Sequence, residues 1–288
     1  MTPQGKLLII GGAEDKSDGT EPNEKERSEQ FERFKILKEL LPSGNTKGQI
    51  EVVTTASTEP EEMEKMYKQT FREIGYKNVG FLYIKNKNQA REEENCQRIK
   101  EARAVFFTGG DQFRISTILG GTTFAGILKD RYLNDEGFII AGTSAGAMVM
   151  SQIMICGGGT GEALLGADLH TASGLGLLDN CIIDTHFIKR GRFSRLAHAI
   201  IINPANLGIG LGEDTALIIH NGNEAECRGS GMVVLIDGAD IEQTNISEAE
   251  EDCPVYVENL RVHLLTENCR VNLITRKLTA LREVVQNE

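Results

Sequence analysis

Three side chains in this sequence have the types and the order that nucleophilic catalysis needs: Ser144, His186 and Glu213. Ser144 lies in Gly142-Thr143-Ser144-Ala145-Gly146, behind the apolar run 138–141 and ahead of Ala147-Met148-Val149-Met150. That pattern predicts strand, sharp turn, helix. Glycines flank the serine because a tight turn leaves no room for a Cβ and because glycine adopts unusual backbone angles cheaply. The hydroxyl is then held above a sheet edge at the positive end of a helix, where developing negative charge is stabilised. A hydroxyl attacks poorly until a base takes its proton, and the base needs an acid to orient it. Among five histidines, His186 follows the apolar run Cys181–Asp184, in a loop predicted to emerge at the same sheet edge as Ser144. His198 falls within an apolar helix and His220 at a hairpin, which favours structural roles, and His170 is a weaker competitor in a loop. For the acid, Gly210-Leu211-Gly212-Glu213-Asp214-Thr215 ends a strand with glycines, so Glu213 is the first candidate and Asp214 the second. Two solvated turn carboxylates are the alternative. An oxyanion would need two N–H donors: Ala145, just after the nucleophile, and Gly110 in Thr108-Gly109-Gly110-Asp111-Gln112, at a neighbouring strand end.

The order Ser144, His186, Glu213 differs from the nucleophile, acid, histidine order of an α/β-hydrolase. It matches the Cys-His-Glu order of class I glutamine amidotransferase-like folds, although a serine stands at position 144. Five stretches, Gly11-Gly12-Ala13-Glu14-Asp15-Lys16, Phe107 to Gln112, Gly142 to Ala147, Asp184 to His186 with Arg190, Arg192 and Arg195, and Gly210 to Thr215, together resemble the cyanophycinase family of serine peptidases, which also contains aspartyl dipeptidases. The resemblance runs from about Lys6 to His263 and beyond. It implies cleavage of cyanophycin, a poly-aspartate backbone with arginine on each side-chain carboxyl, into β-Asp-Arg dipeptides. It also implies Ser144 as nucleophile, His186 as base and Glu213 as acid, with Gln112, Asp184, Arg190, Arg192 and Arg195 as substrate contacts. Two departures are Thr185, where the family often has Gln, and Gly212-Glu213-Asp214, in place of a common Asp-Glu-Asn. The arginines make physical sense beside it, since a guanidinium binds a carboxylate through two parallel hydrogen bonds. The rival readings are an aspartyl dipeptidase of the same family and a non-catalytic binding protein on the same fold.

The elements that must position these residues alternate. Apolar runs at 6–10, 50–55, 79–84, 104–108 and 138–141 predict strands buried on both faces. Between them lie a stripe of Phe31, Phe34, Leu37 and Leu41 stopped by Pro42 and Gly44, a stripe from Met63 to Ile74, an exposed helix over 88–101, and helices over 113–119 and 123–133. The expected fold is α/β, a three-layer α/β/α sandwich with a mostly parallel sheet, class I glutamine amidotransferase-like. Beyond Gln152 the pattern loosens, and Gly157-Gly158-Gly159-Thr160-Gly161 reads as a loop lacking the Lys-Ser/Thr ending of a phosphate loop. A helix over 193–201 follows. From about 208 the chain is strand-rich, at 216–220, 232–236, 255–265 and 271–274, with hairpin turns at Asn221-Gly222 and Asp237-Gly238. This C-terminal extension is expected to widen the sheet and cover one edge, making residues 1–288 a single peptidase domain.

A formal charge of −11 over 288 residues, with no basic block, argues against nucleic acid or an anionic membrane surface as partner. No apolar run reaches the roughly 18 residues of a membrane span, and no signal-peptide pattern precedes Lys6. Cys96, Cys156, Cys181, Cys227, Cys253 and Cys269 are scattered and read as reduced thiols of a cytoplasmic protein. No His-rich ligand spacing suggests a metal, and no cofactor is expected. The expected partners are the peptide substrate and a second copy of the chain in a homodimer.

Overall fold

Strands and helices alternate through the N-terminal half, as the apolar runs require. A computed structural model describes residues 1–14, 34–41, 48–159 and 164–281. In order these carry β1 (Lys6–Ile10), α1 (Lys35–Lys38), β2 (Ile50–Val53), α2 (Pro60–Ile74), β3 (Val79–Leu82), α3 (Glu93–Glu101), β4 (Ala104–Phe107), α4 (Gln112–Leu119), α5 (Thr123–Asn134), β5 (Ile139–Thr143) and α6 (Ala145–Met148). β2, β4 and β5 are buried at every residue, which only strands covered on both faces tolerate. Phe31, Pro42, Gly44, Asp15, Lys16, Thr160 and Gly161 lie outside the described residues.

The second half holds β6 (Ile153–Gly157), β7 (His170–Ser173), β8 (Cys181–Asp184), α7 (Phe193–Ile202), β9 (Leu207–Leu211), β10 (Thr215–His220), β11 (Glu224–Gly229), β12 (Val233–Asp237), β13 (Gln243–Thr244), β14 (Val257–Glu258), β15 (Arg261–Leu265), β16 (Cys269–Asn272) and β17 (Lys277–Leu281). A nine-stranded sheet runs β17-β16-β11-β10-β1-β5-β4-β2-β3. From β1 to β3 the ladders are parallel, and from β10 outward each is antiparallel to its neighbour. The result is a mixed α/β fold around a large, mostly parallel sheet, with seven α-helices among the described residues. One face of the sheet packs on α1 and α2, where Tyr67 meets Phe106 edge-on with ring centroids 5.0 Å apart. The other face packs on α3, α4, α5 and α6.

Several expectations need correcting. β8 is absent from the main sheet and pairs with β9 in a second, four-stranded sheet, β15-β12-β9-β8. His186 therefore leaves a different sheet from Ser144. The strand-rich tail does two jobs: β10, β11, β16 and β17 widen the main sheet, while β12 and β15 complete the second one. Both sheets and α7 share one continuous apolar core. Asn221 and Gly222, both at positive φ, close the β10–β11 hairpin as their residue types predict. Asp237-Gly238 does not make a hairpin, because β12 pairs with β9 and with the distant β15. Asp237 is instead buried against Arg276 and Arg261. The predicted strand 255–265 breaks at Asn259, whose φ is 67°. His170 belongs to β7, which pairs with β6, rather than to a loop.

Candidate active site

Ser144 follows β5 with φ 53° and ψ −114°, and α6 starts at the next residue. The unusual angle belongs to the serine itself. Of the two reasons expected for its flanking glycines, one holds: neither has positive φ, but a Cβ has no room on either. A Cβ on Gly142 would lie 2.3 Å from the Gly146 carbonyl oxygen, and one on Gly146 would lie 2.3 Å from that of Phe107. α6 is also a single turn, so the expected helix dipole reduces to a few individual N–H groups. Ala145 is buried, and its N–H has no hydrogen-bond partner among the described residues. The Gly110 N–H likewise has none. Gly110 follows β4, the neighbour of β5, at φ 140°, and a Cβ there would lie 2.2 Å from the Ala56 carbonyl oxygen. Two unpartnered donors thus flank the half-buried Ser144.

The base position is built at the seam between the sheets. The His186 N–H donates to the Gly11 carbonyl at 2.8 Å, and the Phe187 N–H to the Leu211 carbonyl at 3.0 Å. These bonds tie the loop after β8 to the ends of β1 and β9. Gly12 turns away at φ 100°, and a Cβ on it would sit 2.4 Å from His186 Cε1 and Nε2. A Cβ on Gly210 would strike the Phe187 ring at 2.6 Å. The glycines after β1 and within β9 are therefore the space that the His186 loop occupies. Segment 212–214 is where the chain crosses from the second sheet into β10, and it passes Gly12, whose carbonyl accepts the Asp214 N–H at 3.0 Å.

These placements bring three side chains into line. His186 Nε2 is 3.1 Å from Ser144 Oγ, and His186 Nδ1 is 2.7 Å from Glu213 Oε1. Asp214 turns its carboxylate to the Ser230 hydroxyl at 2.5 Å, so it does not compete for the imidazole. Burial pushes the His186 pKa below its ordinary value; the Glu213 hydrogen bond opposes this, and the Arg190 charge adds to it. Burial pushes the Glu213 carboxyl up, but the hydrogen bonds from His186 and Lys189 and the Lys189 charge outweigh it, leaving a net shift downward. His198 is buried in α7 with neither ring nitrogen bonded. His170 is exposed, and His220 and His263 lie in β10 and β15.

Residues 23–226 match the model of "Peptidase family S51". The chain belongs to peptidase family S51. It is 33% identical to a cyanophycinase from Synechococcus elongatus over 96% of its own length and 81% of that protein's. It is 34% identical to one from Trichormus variabilis over 96% and 89%, and 33% identical to one from Geminocystis herdmanii over 95% and 96%. A solved peptidase from an acI-B1 Actinobacterium has the same fold, with a TM-score of 0.65 and 21% identity over 94% of this chain and 98% of that one. The chain is accordingly a serine peptidase hydrolase.

The other expected residues of this S51 chain divide sharply. Asp184 is fully buried, and its oxygens accept from Arg195 Nε at 2.8 Å, Arg192 Nη1 at 3.0 Å and the Thr185 N–H at 2.9 Å. Arg195 is buried with it. Asp184 and Arg195, both expected as substrate contacts, pair with each other under the His186 loop. Arg192 is half-buried and also donates to the Thr185 carbonyl at 2.7 Å. Arg190 is exposed, and its side chain has no partner among the described residues. Gln112 donates to the Ile155 carbonyl at 2.9 Å, which tethers β6 beside the site. Two contributors escaped the sequence reading. Lys189 Nζ holds the second Glu213 oxygen at 3.0 Å, a contact that spacing alone does not announce. Glu14 is buried, accepting from Tyr67 at 2.8 Å and from the Thr143 hydroxyl, one residue before Ser144. Its place after the Gly-Gly of β1 was the available signal.

Proposed function

We propose that this chain hydrolyses cyanophycin through an acyl-enzyme on Ser144, releasing β-Asp-Arg dipeptides. The observation that carries this is the alignment of Ser144, His186 and Glu213 through hydrogen bonds of 3.1 and 2.7 Å. Ser144 Oγ attacks the scissile carbonyl as His186 Nε2 takes its proton, and Glu213 holds Nδ1–H and stabilises the imidazolium. The carbonyl oxygen becomes an oxyanion facing the Ala145 and Gly110 N–H groups. Collapse expels the leaving amine, which receives the proton from His186. Water, deprotonated by His186 in turn, attacks the ester and regenerates Ser144. We read the fold as class I glutamine amidotransferase-like, since nucleophile, histidine and acid follow β5, β8 and β9 in that chain order.

The substrate class rests on the cyanophycinases that this chain resembles and on the cations beside His186. Arg190 is free to pair with a substrate carboxylate, Arg192 is held in place by Asp184, and Gln112 retains its amide oxygen as an acceptor. Arg190, unpaired without substrate, favours a carboxylate-bearing peptide over an uncharged one. The chain acts, on this reading, as one domain in the cytoplasm, as a homodimer that light scattering on the purified protein would read directly.

The test incubates purified protein with insoluble cyanophycin, casein and α-linked aspartyl dipeptides, and identifies soluble products by mass. Release of β-Asp-Arg from cyanophycin alone, abolished in Ser144→Ala, is expected. Casein hydrolysis at a similar rate would refute the specificity, and dipeptide cleavage without polymer turnover would move the assignment to an aspartyl dipeptidase.

A further inference from the structure

A polar cavity opens on the same edge of the main sheet, away from the His186 loop. Its volume is about 260 Å³, and its walls include Thr55, Ser57, Pro60, Tyr83, Lys85 and Arg114. Because β5, β4, β2 and β3 run parallel, their C-terminal ends share one edge. Ser144 follows β5, Gly110 follows β4, Thr55 and Ser57 follow β2, and Tyr83 and Lys85 follow β3. The outer side of carboxyl strand ends is where open α/β sheets bind ligands. Only Ala56 separates Thr55 from contact with the oxyanion loop, since its carbonyl accepts the Asp111 N–H at 3.0 Å.

Three features of this cavity point to an anion. First, Lys85 is exposed and Arg114 half-buried, and neither pairs with a carboxylate among the described residues, although acidic residues outnumber basic ones 42 to 31. Arg114 Nε donates only to the Thr55 carbonyl, at 3.3 Å, which fixes its guanidinium at the cavity wall. Second, Thr55 is only 3% exposed, and its hydroxyl has no hydrogen-bond partner. An unsatisfied buried hydroxyl beside a polar cavity is costly until it finds a partner. Third, α2, a helix of 15 residues, begins at Pro60 on the wall, and the positive character of its N-terminus is offset only in part by Glu61 and Glu62 in its first turn.

We infer that this cavity is a carboxylate subsite, which holds a carboxylate of the polymer several residues away from the bond being cut. The inference rests on the polymer-hydrolase reading above for the identity of the ligand, and on the cavity alone for its charge. Adjacent strands lie about 4.8 Å apart, so β2 and β3 stand roughly 10 and 14 Å from β5. An extended peptide covers that distance in about three to four residues at about 3.5 Å each. Arg190 and Arg192 flank Ser144 on the β1 side and this cavity flanks it on the β2–β3 side, so a chain lying across the edge would meet cations at both ends.

The test titrates two defined arginyl-aspartate oligomers, of two and of eight units, into Ser144→Ala protein by calorimetry. The eight-unit oligomer is expected to bind about tenfold tighter, which corresponds to one charge-assisted contact. Lys85→Ala and Thr55→Val should each bring the longer oligomer to within about threefold of the shorter one and leave the shorter one unchanged. Thr55→Val keeps the side chain's shape and removes only the unpartnered hydroxyl, so an unchanged Tm separates lost binding from damaged folding. Equal affinity for both lengths, or a length dependence that survives both substitutions, overturns the subsite. Inorganic phosphate supplies the other arm: a Tm rise that needs Lys85, with no length dependence, assigns the cavity to a free anion and overturns the polymer assignment. Activity of the parent chain is scored separately. A parent that cleaves neither oligomer yet binds the longer one through Lys85 rejects the peptidase reading and keeps the subsite. A parent that cleaves both with the same KM rejects the subsite and keeps the peptidase.

Discussion

Replacing Gly12 by alanine tests the seam on which the catalytic reading depends. A Cβ at this position would lie 2.4 Å from His186 Cε1 and Nε2, whereas ordinary contact begins at 3.4 Å, so the ring must retreat by 3.4 − 2.4 = 1.0 Å. The retreat can carry Nε2 from 3.1 Å to about 4 Å from Ser144 Oγ, beyond the roughly 3.2 Å reach of proton transfer. Loss of a positioned general base costs about 10²–10⁴-fold in turnover. The φ of 100° adds backbone strain of about 1–2 kcal/mol, which by itself changes stability and not chemistry. Gly75 supplies the control, because it ends α2 at φ 92° and a Cβ added there would meet nothing within 4 Å. Gly12→Ala should lose at least a hundredfold in kcat on cyanophycin, with a stability loss like that of Gly75→Ala, which should keep parent kcat. Both are read by initial rates and by urea unfolding at one pH. A Gly12→Ala protein with parent kcat would show that His186 does not need its present position, and the reasoning would fail.

Three further outcomes follow from the same geometry. Glu213→Gln should lower kcat by about 10³–10⁴-fold, as loss of the orienting acid does elsewhere, while Asp214→Asn stays within a few-fold because its carboxylate serves Ser230; steady-state rates of the two variants decide between them. His186 must be neutral to act as base, and its pKa lies below its ordinary value of 6.5, so kcat/KM should be flat above that pH and fall below it. Arg190→Met removes a charge that disfavours the imidazolium, so the acid limb should move to higher pH; a limb that stays put or moves down refutes the coupling. Asp184→Ala strands the buried Arg195 guanidinium and should destabilise the fold by about 3–5 kcal/mol in chemical denaturation, against less than about 0.5 kcal/mol for Arg190→Met. Parent stability with lost substrate affinity in Asp184→Ala would restore Asp184 as a substrate contact.

The sequence by itself determined the parallel half of the main sheet and the candidate triad of Ser144, His186 and Glu213. Runs such as Ala104-Val105-Phe106-Phe107 are apolar at every position, and only a strand covered on both faces has that composition. Gly142-Thr143-Ser144-Ala145-Gly146 announces its turn locally, because the contacts that forbid a Cβ lie within the turn or one strand away. Partnerships between distant segments were decided by the tertiary structure. Cys181–Asp184 has the composition of a main-sheet strand, but its partner is β9, and strand pairing depends on packing rather than on composition. That pairing places His186 and Glu213 at the seam between two sheets, where Gly11 and Gly12 receive them. It also decided the fate of the arginines. Arg190, Arg192 and Arg195 look alike in sequence, yet burial beside Asp184 turned Arg195 into a structural ion pair and left Arg190 free in solvent. Which charge is desolvated depends on what covers it, and the covering atoms come from strands and loops far away in the chain.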